Sequence, residues 1–377
     1  MIKEKYKLEN LYLCVFCPPT FLTSSLFNNF RNKLLDNFNL NNAVLFSAGH
    51  FANVSSDWGI LFSIWKPGES LDKNNFPSKL IDNIDDKIKI IGDKTLYNID
   101  NANLLNPWLK KDTKSIKTDE APELTSAIRI KVNNTTHQGK MIKGALGCLY
   151  IHGNSVDSNK QNVALFLSAF SSGCDVSIIP INFNKVSICF AARTLIEKNW
   201  INSNDEYLVP NESHPKFQEF VNDSIVYSLF NGKSQQSSLR QIQYHNKLWD
   251  IKNEFFWMSK SEIESLANEY NNDECYNDAH TSPERFVYQK LQEIELSPEA
   301  QAVLDKACDI VRKTFKYREL FNDIMPEAQI NNWDCGFYQI KLLCKEFAPD
   351  LLKEFKDVYK QLADKMRPMV YELGFLK

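Results

Sequence analysis

Glycine and proline are scarce, at 12 and 14 of 377 residues. Fibrous and low-complexity chains need far more of both, so those classes are excluded. No stretch approaches the roughly 18 uninterrupted apolar residues of a membrane span. Charge of one sign is also lacking: 44 Lys and Arg stand against 47 Asp and Glu, a formal charge of −3. That excludes a uniformly basic nucleic-acid coat but leaves room for a local basic cleft. The opening MIKEKYKLENLYLCVFCPPT has only a short apolar run, ending in Pro-Pro rather than a small-residue cleavage site, so no secretion signal is read. These absences lead us to expect a cytoplasmic protein with no membrane partner.

Chemical motifs are missing as well. The sequence contains no GxxxxGK[ST], no GxGxxG after a strand, no HExxH and no GxSxG. The six histidines are scattered. Cys14 and Cys17 form a CxxC, but no second pair and no histidine cluster completes a zinc site. Nine cysteines without a secretion signal fit reduced, mostly buried thiols.

What is present is a globular composition, 43 % hydrophobic and 12 % aromatic, with room for two or three folded units. LYLCVFC has the β-propensity of a strand, and SLFNNFRNKLLDNF places Leu26, Phe27, Phe30, Leu34, Leu35 and Phe38 on one helical stripe. NAVLFSAGHF and WGILFSIWK follow as strands. Residues 67–140 are polar and read as a connector. From 141 the runs GALGCLYIHG, NVALFLSAF, CDVSIIPI and KVSICFAARTLI predict a mixed or antiparallel sheet. Beyond Ser282 the period is helical. Ser297 with Pro298 predicts a capped helix start, and APDLLKEFKDVYKQLADKMRPMVYELGFL predicts a helix pair.

The order from Leu11 to Lys66 is more specific than its composition. A strand runs into Pro-Pro-Thr-Phe-Leu, then a helix containing FNNFRNKLL, a strand ending SAGHF, and VSSDWGILFSIWK. This resembles the last third of the catalytic domain of adenine-N6 DNA methyltransferases, in the gamma-ordered group where recognition follows catalysis. NDSIVYSLFNGKSQQSSLRQIQYHNKLWDIKNEFFWMS, SPEAQAVLDKACDIVRKTF and NNWDCGFYQIKLL resemble the tail of larger bacterial N6-adenine methylases. The resemblance implies an α/β fold: the end of a Rossmann-like methyltransferase sheet, a mixed α+β target-recognition domain, and a helical C-terminus. It divides the chain into catalytic-domain end (1–66), connector (67–140), target-recognition region (141–281) and helical region (282–377).

The departures from the family matter equally. No glycine-containing loop for S-adenosylmethionine is present, and no Asn/Asp-Pro-Pro-aromatic turn. Cys17-Pro18-Pro19-Thr20 lacks the amide and the aromatic, and Asn106-Pro107-Trp108 lacks the second proline. The resemblance therefore implies a restriction–modification enzyme's recognition part, with double-stranded DNA as partner and a second polypeptide holding the missing motifs. S-adenosylmethionine is the cofactor of the complete enzyme, with none expected on this chain alone. A non-catalytic DNA-binding specificity module and an inactive truncated remnant are the alternatives. A remnant would leave an exposed apolar sheet edge near residues 11–17.

No catalytic residue is expected in the chain. Phe51 matches the family aromatic that stacks on an extruded adenine, and His50 beside it could reach the nucleotide backbone. Asn231, Lys233, Ser234, Gln235, Gln236, Ser237, Ser238 and Arg240 form a polar run suited to DNA. Amides and arginine read base edges, while serine and lysine hold phosphates. Asn154, Ser155, Ser158, Asn159 and Lys160 are weaker candidates of the same kind. Arg312, Lys313, Lys316 and Arg318, near Asp309 and Glu319, read as a solvated helix face. Trp249, Trp257 and Trp333 read as packing residues, and Asp334 as a cap or a contact.

Overall fold

Two prolines end the first apolar run. Neither Pro18 nor Pro19 can donate to a sheet ladder, so strand β1 (Leu13–Cys17) stops there and helix α1 (Thr20–Thr23) begins. The computed structural model describes residues 11–51, 53–110, 122–131, 142, 144–158, 163–166 and 176–377. Helix α2 (Asn28–Leu35) follows α1 and is tied to it by buried Arg31, whose Nη1 donates to the carbonyls of Phe21 at 3.0 Å and Ser24 at 2.9 Å. Next come β2 (Phe38–Ser47), β3 (Gly59–Pro67), β4 (Asn75–Ile84) and β5 (Lys87–Tyr97).

These five strands form one sheet in the order β1-β3-β2-β4-β5. β3 runs antiparallel to both β1 and β2, so those two point the same way with β3 between them. β4 pairs parallel to β2 and antiparallel to β5. One face buries Ala43, Leu45, Leu61, Trp65, Phe76 and Leu80 against Phe21, Leu22, Leu34 and Leu35 of α1 and α2.

The sheet therefore continues past residue 66, and β4 and β5, within the expected connector, belong to it. The polar composition of 67–97 conceals a period of two: Phe76, Ser78 and Leu80 are buried while Asn75, Pro77 and Lys79 are exposed. Asp85 and Asp86 both have φ near 55°, which makes the tight two-residue turn that joins β4 to β5.

The second unit begins with α3 (Leu105–Lys110), β6 (Leu124–Ser126) and β7 (Arg129–Ile130). Strands β8 (Gly147–Ile151), β9 (Val163–Phe166), β10 (Val176–Ile178) and β11 (Ser234–Gln235) make a sheet in the order β10-β8-β9-β11. Only β9 and β11 pair in parallel within it, a mixed arrangement as expected.

KVSICFAARTLI, read as a strand, is instead the core of helix α4 (Phe183–Leu195). An apolar run buried nearly all round has no diagnostic period, and β-branched residues bias the reading toward a strand. Helix α5 (Phe217–Phe230) packs on α4, followed by the hairpin β12 (Leu239–Tyr244) and β13 (Lys247–Ile251).

Helices complete the chain: α6 (Lys260–Glu269), α7 (Asp273–His280), α8 (Phe286–Leu291), α9 (Pro298–Thr314), α10 (Arg318–Ile324), α11 (Phe337–Phe347) and α12 (Pro349–Glu372). Ser297 caps α9 as expected, its Oγ accepting from Ala300 N at 3.2 Å, an interaction worth about 1 kcal/mol. The expected C-terminal helix pair is one 24-residue helix, α12, with Pro368 inside it.

A single core of buried residues runs from Leu105 to Leu376 and takes in Trp257 and Trp333. Among the described residues Cys14, Cys17, Cys189, Cys275, Cys308, Cys335 and Cys344 are free, whereas Cys148 is disulfide-bonded, against the expectation of reduced thiols. No helix among them is long and apolar enough to cross a membrane. The fold is thus mixed α/β, with parallel and antiparallel pairing and a helical C-terminus.

Candidate functional site

Phe51 is placed by a serine-braced turn. At the end of β2, Ser47 Oγ accepts from Gly49 N at 3.1 Å and donates to the Ser56 carbonyl at 3.1 Å. A side chain on Gly49 would press on Ser56, so the turn needs glycine. Phe51 leaves this turn 43 % exposed. Its ring meets Phe16 of β1 edge-on at 5.6 Å and Phe46 of β2 at 6.2 Å. Phe16 also lies 6.4 Å from Phe62, its ladder partner on β3. These rings lie on the sheet face opposite the one that α1 and α2 cover, and Phe16 is 54 % exposed. His50 does not join them. Its Nε2 lies 2.9 Å from Asp82 Oδ1 on β4.

The CxxC cysteines sit on this strand too. Cys14 is exposed and Cys17 half-buried, on opposite faces of β1 as a separation of three residues requires.

A cleft of about 270 Å³ opens where β1 ends and β3 begins. Pro18, Thr20 and Trp58 line it from the first unit, and Ser155, Asp157 and Glu206 from the second. In open α/β sheets, ligands bind outside the carboxyl ends of strands. Trp58 is 51 % exposed, with Lys198 Nζ 6.0 Å from its ring centre and 2.6 Å from Asp157 Oδ1. Burial pushes the Glu206 carboxyl above its usual range, against a 3.0 Å hydrogen bond from Asn154 Nδ2 that favours ionisation. Trp58 and Glu206 were not singled out in the sequence. Trp58 reads there as the first residue of an apolar strand, and Glu206 carries no local motif.

The junction holding this cleft is tight. A Cβ on Gly59 would meet the Trp200 carbonyl, and Leu104 forms an antiparallel bridge to Leu208. The Asn106 side chain is buried, its Oδ1 accepting from Arg193 Nη1 at 3.1 Å, which gives the Asn-Pro-Trp segment a structural role. Asn154 is committed as well, donating to Glu206 and, at 2.7 Å, to the Tyr207 carbonyl. Ser155 and Ser158 bond each other at 3.1 Å. Asn159 and Lys160 lie outside the described residues.

The polar run from 231 to 240 is folded inward. Ser234, Gln236, Ser237 and Ser238 are buried. The Ser234 hydroxyl donates to the Ser228 carbonyl and that of Ser237 to the Ala127 carbonyl. Gln236 Nε2 donates to Leu229 O at 3.3 Å, and Gln235 Oε1 accepts from Ala127 N at 3.2 Å. Asn231 Nδ2 donates to the Tyr359 hydroxyl at 2.9 Å. Lys233 is half-buried, and burial lowers its proton affinity.

Ser238 and Arg240 belong to a network around Asp334, which is fully buried. Asp334 accepts from the Ser238 hydroxyl, from Arg240 Nη2 at 2.9 Å, from Arg285 Nε at 2.8 Å and from Asn253 N at 2.8 Å. Asn231, Ser234, Gln235, Gln236, Ser237, Ser238 and Arg240 are therefore internal braces, and this corrects their expected placement on a surface. Arg318 is buried too, against the Phe315 ring at 4.4 Å, so only part of its basic stretch is a solvated face. Arg312 pairs with Glu262 at 2.6 Å and Lys313 with Asp309 at 3.5 Å on the exterior.

Comparison with protein families, with curated proteins and with solved structures finds no match to this chain.

Proposed function

We propose that this chain is the target-recognition and base-stacking part of a site-specific DNA adenine N6-methyltransferase of a restriction–modification system. The observation that carries the reading is the condition of the first sheet. β1 ends the strand order and, among the described residues, pairs on one side only. Next to that edge lies an outer face of Phe16, Phe46, Phe51 and Phe62. Unpaired strand edges beside apolar side chains template pairing with another chain, so this one fits a sheet completed by a second polypeptide. That β3 closes between β1 and β2 supports the resemblance to the end of a methyltransferase sheet.

The residues at the carboxyl end of β1 do not fit S-adenosylmethionine. The turn there is Pro18-Pro19, with no glycine and no backbone N–H to cradle the ligand. Methyl-donor binding and transfer are assigned to the second polypeptide, and no step of the transfer is attributed to this chain. Its own contribution is Phe51, whose exposed ring face takes over part of the stacking that an extruded adenine loses, worth about 1–3 kcal/mol.

The test is methyl transfer from labelled S-adenosylmethionine to duplex DNA. It is run with this chain alone and with the polypeptide encoded immediately upstream. Activity in the mixture alone is the expected result, and Phe51→Ala should lower it about 10–100-fold. Activity from the chain alone would overturn the division of labour. Silence in both with duplex binding retained points to a specificity module, and silence without binding to an inactive remnant.

A further inference from the structure

Native sheets keep an edge strand single by placing charge on it. The β5 edge of the first sheet follows that rule, with Lys87, Lys89, Asp93 and Lys94 along it. The β1 edge does not. No charged residue stands between Leu11 and Cys17, and among the described residues β1 pairs only with β3. Exposure alternates without a break over this stretch: Leu11, Leu13, Val15 and Cys17 are half-buried, while Tyr12, Cys14 and Phe16 are exposed. Tyr12 and Cys14 thus belong to the same outer row as Phe16.

The stretch is also close to palindromic about Cys14. Aromatic residues stand two places to either side, at Tyr12 and Phe16, and aliphatic residues one place to either side, at Leu13 and Val15. We propose that β1 pairs antiparallel with β1 of a second copy of this chain, around a two-fold axis at Cys14. The inference goes beyond the reading above and uses none of its DNA chemistry: it states what occupies the edge when the second polypeptide is absent.

In this register Cys14 faces the partner's Cys14, Tyr12 faces the partner's Phe16, and Leu13 faces the partner's Val15. Isologous contacts of this kind are the commonest route to a homodimer. The outer row has to stay outer, so the axis passes through a residue and not between two. An axis at Val15 would set Cys14 against the partner's Phe16 and Tyr12 against the partner's Pro18. An axis at Leu13 would carry Phe16 beyond the partner's Leu11, away from any ring. The axis at Cys14 matches rings with rings and aliphatics with aliphatics, the cross-strand pairs that stabilise a ladder. Charge favours the same occupant. A two-fold pairing sets every charge against a like one, and this stretch carries none to repel its copy.

Directly opposed residues of an antiparallel pair have α-carbons about 4.5–5.5 Å apart, within the roughly 4.4–6.8 Å that a disulfide spans. Cys14 is a free, exposed thiol, so the pairing can be trapped through it.

The experiment treats the reduced full chain with diamide and separates the products on a denaturing gel without reductant. Diamide takes two electrons and two protons from the two thiols and becomes its hydrazine, while one S–S bond forms. A dimer should appear in the wild type and in Cys17→Ser and be absent in Cys14→Ser. Tyr12→Ser and Phe16→Glu, with Cys14 kept, should each slow its formation about tenfold, since each removes both symmetry-related ring pairs. Tyr12 precedes β1, so its replacement leaves the ladder to β3 intact and keeps the test independent of folding. No dimer in the wild type would overturn the proposal, as would a dimer that persists in Cys14→Ser. A dimer that forms at the wild-type rate in Tyr12→Ser would overturn it too, because chance collision of exposed thiols needs no ring pairing. The methyl-transfer test above depends on none of these results.

Discussion

Lys94 of β5 and Asp205 of the second unit meet at 2.6 Å across the junction, with side chains only 13 % and 11 % exposed. Burial outweighs the attraction of Lys94 and lifts the Asp205 carboxyl to about 6. An unfolded chain ionises this group near 4. Its contribution to stability is therefore complete below about pH 4 and is lost as pH rises through about 6. The stability of wild type relative to Asp205→Asn should fall by about 3 kcal/mol between those limits. Urea unfolding of both proteins across pH 4–7 reads the difference directly, and a difference constant with pH would refute the account.

Asp334 should be among the most sensitive positions in the molecule. It is the shared counter-charge of Arg240 and buried Arg285, and Arg285 also lies over the Trp333 ring at 4.8 Å. Removing one partner of a buried ion pair strands the others, so Asp334→Asn should cost about 3–5 kcal/mol. Replacing the set together, with Asp334→Leu, Arg240→Met and Arg285→Met, should recover most of that loss, because the desolvation penalty disappears with the charges. Chemical denaturation of the two proteins separates these outcomes. Equal losses would mean that Asp334 acts through shape rather than charge.

Elements whose pattern is local were legible in the sequence. The stop at Pro18-Pro19, the cap at Ser297 and the strands read in NAVLFSAGHF and WGILFSIWK follow from neighbouring residues, although the helix ends at Leu35 and Phe38, expected on its stripe, opens β2 instead. Helix α4 was not, because burial on every side erases the period that marks a helix. β4 was not either, since one buried face suffices for a strand and polar residues cover the other, and β5 buries only Leu96. The polar run misled for a related reason. Ser238 and Arg240 look like solvent-facing residues until Asp334, nearly a hundred positions away, arrives as their partner. Long-range pairing decides whether a polar side chain is a surface or a brace, and local composition does not carry it.

Gly336 starts α11 so close to the Gln236 carbonyl that no Cβ fits. Its backbone φ of −68° is ordinary, so the requirement is space and not conformation. Gly336→Ala should force the helix away from the 236–237 backbone and cost about 1–3 kcal/mol through overpacking. Gly232→Ala makes the comparison, because nothing lies near that α-carbon. Thermal denaturation should show a clear drop for the first and little change for the second. Tolerance of alanine at 336 would mean that the helix start adjusts freely.

Phe16 links the stability of the isolated chain to its proposed partner. It projects from an edge strand, and unpaired strand edges with apolar faces template association. The chain alone should therefore self-associate as its concentration rises. Phe16→Glu places a charge beside the ladder that is unpaired among the described residues and should shift the sedimentation profile toward monomer, with little effect on the buried face where Trp65 and Leu61 pack. The same change should weaken co-purification with the upstream polypeptide, because self-association and partner docking would use one edge. A variant that stays associated, or a wild type that remains monomeric at high concentration, would show that this edge is closed to other chains. Loss of self-association with partner docking intact would place the second polypeptide elsewhere on the molecule.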